Sequence, residues 1–271
     1  PYRRQRQMCI RDSWKIKGEP TAILVDFTSL IPRKDEILKK LWEAYHVDSI
    51  SGQWDYIEPV LFGYAAGAVI ASYVENFCTA TDKIAAHFHE WMTAAGGLYL
   101  RRHAPYVATL FTTHATVMGR CIAGNHLPLY TDLTKFNADE LARQFNVVAK
   151  HSIEKAAAAY HDAFVTVSDI TANECKFLLG REPDCITPNG FENDFVWTGE
   201  EYDAKRAEAR KTMISVAEAC LGEKFAEEPL IVGTSGRYEF RNKGIDVFIE
   251  SLKKLAASVS YTHLTLPTIR L

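Results

Sequence analysis

Apolar positions along this chain recur with two periods, near two and near 3.6 residues, and the two kinds of segment alternate. Residues 22–27 (AILVDF) form a short apolar run with an aspartate near its end, which predicts a strand. Residues 35–45 have helical spacing, with Ile37, Leu38, Leu41 and Trp42 on one face. Residues 58–71 are apolar and rich in glycine and alanine, the composition of a tightly packed helix. A short apolar run at 84–87 leads into HFHEW (87–91), and a helix is expected over 92–100 despite Gly96 and Gly97. The β-branched content of 107–112 (VATLFT) predicts a strand that runs directly into THATVMGR (113–120). Residues 127–145 are more polar and read as a cap-like insertion. A long helix follows at 147–160, then a strand at 163–167, a helix capped by Ser168 or Asp169 that reaches about Leu179, and a brief strand at 184–187. Strand, helix and strand in this order predict an α/β layer with a mostly parallel sheet.

A second unit is expected after a linker at 191–198. It opens with a charged helix over 202–221 and continues with a strand at 230–232. Then come the basic loop 234–246 (TSGRYEFRNKGID) and a helix over 247–255. One strand and two helices cannot bury a sheet core, so this second unit reads as partial. Residues 259–271 break the helical pattern and read as a foreign or out-of-frame tail; Pro1 in place of methionine suggests that the start is incomplete too.

Composition narrows the classes. The 271 residues suffice for one large or two ordinary domains, and 47% apolar content supports a core. A formal charge of −3 provides no global field for nucleic acid. Cys9, Cys78, Cys121, Cys175, Cys185 and Cys220 are scattered without a CxxC pair, so a reducing, cytoplasmic setting is expected. No apolar run reads as long enough for a bilayer, residues 64–74 being a buried helix candidate, so no membrane partner is expected.

Two stretches carry candidate chemistry. The basic loop holds Arg237, Arg241 and Lys243 beside Gly236 and Gly244, just before a helix. Glycines let the backbone approach a ligand, and a helix start offers free N–H groups, so a phosphate or diphosphate fits; a solvated turn with ordinary surface charges fits as well. His87, His89 and His114 fall at strand ends, where open α/β sheets place ligands. His114 permits a hydrogen bond to a sugar hydroxyl or to developing negative charge, and a structural histidine tied to backbone is the competing reading. No third ligand accompanies the HxH pair, so no metal is expected. Arg120 lies either in the same crevice or in a salt bridge, and Glu90 either positions a sugar or caps a helix. Glu154 and Lys155 read as structural. Asn189 and Gly190 form a turn that either lines a cleft or only turns the chain. GxGxxG, the P-loop motif and the GxSxG elbow are all missing from the sequence.

Taken together and in order, EPVLFG (58–63), HFHEW, LFTTHATVMGR (110–120), TVSDITANE (166–174), TPNG (187–190) and GRYEFRNKGID (236–246) resemble the animal and fungal type of glycogen synthase. The resemblance spans residues 12 to 257. It implies the GT-B arrangement, two Rossmann-like domains facing a cleft, assigned here to 1–198 and 199–258. It also implies transfer of glucose from UDP-glucose to the 4-hydroxyl of an α-1,4-glucan with retention, no cofactor and no metal, and a homo-oligomer. On it, Arg237 and Lys243 match the pair that holds the donor diphosphate, and His114 matches the histidine beside the transferred glucose. Arg120, His89, Glu90, Asn189 and Gly190 match substrate-side positions. Arg241 stands where many members have a small or aromatic residue. A glycine-rich loop before residue 1 and a second-domain glutamate after residue 271 would be required, so the chain alone is expected to be inactive. Another GT-B enzyme using ADP-glucose, or a non-catalytic glycan-binding protein, remains open.

Overall fold

A computed structural model describes residues 9–237, 239–241 and 243–258, and the proposed tail at 259–271 lies outside them. Backbone contacts divide the chain into two units, Pro1–Asn189 and Gly190–Leu271.

The first unit opens with an antiparallel hairpin, β1 (Cys9–Ser13) and β2 (Thr21–Val25). β1 falls in a stretch too basic to read as a strand, and it forms because β2 offers it a ladder. Helix α1 (Lys34–Tyr45) buries Ile37 and Leu41 and leaves Trp42 half exposed. Helix α2 (Trp54–Phe77) runs 24 residues, well past the expected 58–71. By length and composition α2 is apolar enough to cross a membrane, which corrects the expectation that no run reaches that length. The run is hidden in the sequence because Glu58, Ser72 and Glu75 interrupt it on the exposed side of the helix.

A four-stranded parallel sheet follows in the order β3 (Ala85–His89), β4 (Ala108–Thr113), β5 (Ala163–Thr166) and β6 (Cys185–Ile186). Each parallel step needs a crossover, and the chain supplies helices for it. Helix α3 (Ala94–His103) links β3 to β4. Between β4 and β5 lie α4 (Val117–Gly124), α5 (Ala138–Gln144) and α6 (Val148–Tyr160). Helix α7 (Asp169–Glu174), capped by the Ser168 hydroxyl and extended by a π turn over Cys175–Leu179, precedes β6. The fold is thus mixed α/β with a parallel sheet, as the sequence pattern predicts.

The main core joins α1, α2, α3 and α6 to the sheet through Tyr56, Leu61, Leu98, Phe111, Ile153 and Phe164, all fully buried. Two helices of this core meet glycine on glycine. A Cβ at Gly67 would stand 2.5 Å from the Gly96 carbonyl oxygen, so α2 and α3 touch backbone to backbone. This explains why α3 tolerates glycine in its first turns. The insertion at 127–145 packs α5 on α4 in a smaller cluster of Met118, Ile122, Leu129, Leu133 and Leu178.

In the second unit α8 (Gly199–Leu221) and α9 (Ile245–Ser258) form as expected. The strand expected at 230–232 does not, because an apolar run needs a neighbouring ladder and the described residues of this unit contain no strand. Arg210 tethers the segment before it instead, donating to Glu228 and to the Pro229 carbonyl at 2.5 Å each.

Candidate functional site

The carboxyl ends of β3 and β4 bring three of the predicted site residues together. Glu90, the first residue after β3, has a left-handed backbone (φ 63°), uncommon for a residue with a side chain. Its N–H donates to the Thr112 carbonyl at 2.8 Å, so it is still attached to β4 while its direction has turned. The turned carboxylate accepts the backbone N–H of His114 at 3.0 Å. His89 Nδ1 lies 3.3 Å from His114 Nε2, the rings 5.6 Å apart and near parallel. On the other side His89 packs 4.1 Å from the His87 ring, and His87 Nε2 is 2.7 Å from the Thr112 hydroxyl. Partial burial lowers the pKa of His89, and the neighbouring His87 and His114 lower it further. His89 is therefore neutral at physiological pH and keeps one ring nitrogen as acceptor and one as donor. Such a pair of faces suits sugar hydroxyls.

Beneath His114 the loop is held by buried acids. The Thr113 hydroxyl lies in hydrogen-bond contact with Glu154 Oε1 at 3.1 Å, and the Val117 N–H donates to Glu154 Oε2 at 2.9 Å. The Thr116 hydroxyl caps α4 by accepting the Gly119 N–H at 2.9 Å, and donates to Glu174 Oε2 at 2.8 Å. Tyr130 donates to the other oxygen of Glu174 at 3.1 Å. Gly119 is required here, since a Cβ would lie 2.2 Å from Glu174 Oε2. The THATVMGR run is thus a floor: Thr113, Thr116, Val117 and Gly119 meet the two glutamates, and His114 rises from it. Glu174 closes the TVSDITANE run, and Glu154, outside the quoted motifs, bears out its structural reading: it shares the buried face of α6 with His151 and Ala158, a position helical periodicity marks as inward.

Arg120 is exposed on α4. Asn189 and Gly190 are exposed in extended chain beyond β6, with no positive φ at Gly190. The expected turn there is absent, because the Thr187 N–H continues the ladder to the Thr166 carbonyl at 2.8 Å and keeps the chain straight. Arg237 and Lys243 belong to the second unit. Arg237 pairs with Glu239 at 3.1 Å, and Lys243 is exposed. The turn around them closes through Lys243 N–H to the Glu239 carbonyl (3.0 Å) and Ile245 N–H to the Phe240 carbonyl (2.9 Å), with Gly244 left-handed (φ 65°) at the entrance to α9. Among the described residues no group of three or more His, Cys, Asp or Glu has metal-holding geometry. Grooves of about 400 Å³ beside Trp42 and about 370 Å³ beside His151 lie elsewhere and include none of the strand-end residues.

A family profile described as "Glycogen synthase" matches residues 2–266 of the chain. The chain belongs to the glycogen synthase family. Relatives named "Glycogen [starch] synthase" include one from Neurospora crassa, 33% identical over 246 residues, covering 89% of this chain and 34% of the relative. One from Dictyostelium discoideum is 32% identical over 246 residues, covering 89% of this chain and 27% of its own length. The liver form from Rattus norvegicus is 31% identical over 250 residues, covering 89% and 34%. The chain of this glycogen synthase family member thus spans about a third of the length of these relatives.

Proposed function

We propose that this chain supplies one catalytic face of a retaining glucosyltransferase that extends an α-1,4-glucan from a nucleotide-diphosphate glucose. The observation that carries this reading is the join of two motifs at the strand ends, where the Glu90 carboxylate holds the His114 amide and His89 stands against the His114 ring. Strand ends of a parallel sheet are where α/β enzymes bind ligands. In this reading the full protein has the GT-B arrangement, and Gly190 opens the passage toward its second domain. His114 lies beside the transferred glucose, where its ring and backbone steady positive charge developing at the anomeric carbon. His89, Glu90, Arg120 and Asn189 contact sugar hydroxyls on the donor and acceptor sides. Arg237 and Lys243 neutralise the diphosphate as it leaves, an interaction that strengthens as the bond breaks. The donor is UDP-glucose, the acceptor glycogen, and the setting cytoplasmic.

The test is glucose transfer onto glycogen by the full-length gene product that carries this chain, with UDP-glucose and ADP-glucose supplied separately. Transfer from UDP-glucose with α-linked product supports the reading. Preference for ADP-glucose corrects the donor. Glycogen binding without transfer from either donor overturns the enzymatic reading in favour of a glycan-binding protein.

A further inference from the structure

We propose that Glu154 is a positioning residue for the transfer reaction: from beneath the strand ends it grips Thr113 and Val117, the two residues that bracket the His114 loop, and so sets where His114 faces the sugar. The inference rests on the functional reading above. Its geometry does not depend on that reading.

Glu154 is wholly buried, with each carboxyl oxygen engaged, one by the Thr113 hydroxyl at 3.1 Å and one by the Val117 N–H at 2.9 Å. The Thr113 hydroxyl also lies 3.3 Å from the carbonyl of Ala115, the residue just after His114. Two acceptors therefore compete for one hydroxyl proton, and the protonation of Glu154 decides the winner. With Glu154 neutral, its acid proton is donated to Thr113 Oγ, and the Thr113 proton is donated to the Ala115 carbonyl. With Glu154 ionised, Thr113 donates to the carboxylate, and the Ala115 carbonyl loses its donor. The Val117 N–H donates to Glu154 in both states. Both states bridge Thr113 and Val117 through the carboxyl group, and only the neutral state adds the Thr113-to-Ala115 bond inside the His114 turn.

The surroundings favour that state. Burial pushes the Glu154 carboxyl up to about 8 against the lowering effect of the Val117 and Thr113 hydrogen bonds, and the acids Glu90, beyond β3, and Glu174, on α7, add to the rise. The other titratable groups turned toward it are thiols, Cys121 on α4 and Cys175 on the π turn, both held protonated by burial. Along α6 itself, Lys155 and His151 are engaged with Asp139, and Lys150 with Asp55.

The experiment compares the full-length gene product with its Glu154→Gln and Glu154→Leu variants. Glutamine donates through its amide to Thr113 at every pH and accepts the Val117 N–H through its carbonyl. The parent is expected to lose kcat on the alkaline side with a midpoint near that carboxyl, whereas Glu154→Gln keeps kcat near the parental value at neutral pH and lacks this fall. Glu154→Leu, where it folds, is expected to lose roughly 10²-fold in kcat with little change in donor KM. An alkaline fall in Glu154→Gln identical to the parent's overturns the proposal. A second readout separates this failure from failure of the functional reading. Protection of the amides at 114–117, taken relative to their base-catalysed intrinsic exchange at each pH, is expected to fall across the same range in the parent but not in Glu154→Gln, whether or not either protein transfers glucose. Parallel changes in protection in the two proteins also overturn the proposal.

Discussion

Gly119→Ala sets helix propensity against steric fit, and the structure decides which wins. Gly119 lies in the first turn of α4, where alanine in place of glycine favours the helix by about 1 kcal/mol. Against this, the new Cβ would sit 2.2 Å from Glu174 Oε2, 2.9 Å from its carboxyl carbon and 2.7 Å from the Thr116 hydroxyl. None of these neighbours retreats freely. Glu174 is buried and held by Thr116 and Tyr130, and the Thr116 hydroxyl also caps α4 through the Gly119 N–H. Overpacking costs about 2 kcal/mol, loosening the buried Thr116–Glu174 bond about 2 more, and weakening the cap about 1, so the net expected loss is about 4 kcal/mol. In a unit of this size that is a fall in Tm of about 10 °C. Urea and thermal denaturation of the chain measure it. A Gly119→Ala protein as stable as its parent would refute the packing argument. The cause is checked by a double-mutant cycle. With Glu174→Ala in the background the penalty is expected to shrink by about 2 kcal/mol, and an unchanged penalty would mean that the contact is not its source.

Three further outcomes are expected. His161 is buried with Nδ1 on the Ala157 carbonyl at 2.9 Å, and burial lowers it to about 4 from 6.5. Unfolded chains take up the proton first, so its contribution is complete above pH 6.5 and is lost as pH falls toward 4. That loss is about 3 kcal/mol in urea titrations, and His161→Gln should flatten this part of the curve. Gly67→Ala drives a methyl into the Gly96 backbone and should cost about 3 kcal/mol by denaturation, since neither helix backbone can yield as a side chain does. Lys243→Ala in the full-length gene product should lower kcat by roughly 10²-fold and leave the denaturation midpoint unchanged, because Lys243 is exposed; normal turnover would remove Lys243 from the diphosphate role.

Most of the first unit is legible because its strands and helices satisfy themselves locally or with near neighbours. The β-branched run at β4 and the apolar face of α1 each announce one element, and the Ser168 cap announces α7. The failures share a cause. β1 exists through β2, and 230–232 lacks a neighbouring strand, so in both cases the partner and not the segment decides. The far end of α2 is masked by polar residues on a face only the fold exposes. At the site, His89, Glu90 and His114 are legible from motif and strand-end position. The acids beneath them are legible only in part: Glu154 reads as structural and Glu174 ends the TVSDITANE run, but what each holds is hidden until the fold supplies hydroxyl and amide donors from 37 to 58 residues away.

Those separations also bear on the order of assembly. Thr113 waits for Glu154, 41 residues later, and Thr116 waits for Glu174, 58 residues later. During synthesis from the N-terminus, β3 and β4 can pair before either glutamate has left the ribosome. The His114 turn then remains without its floor until α6 and α7 arrive and close two long loops. The sugar-facing surface is therefore among the last parts of this unit to mature. A pause in translation after β4 has emerged from the ribosome but before Glu154 does would leave a nascent chain with its sheet begun and its reactive edge still unformed.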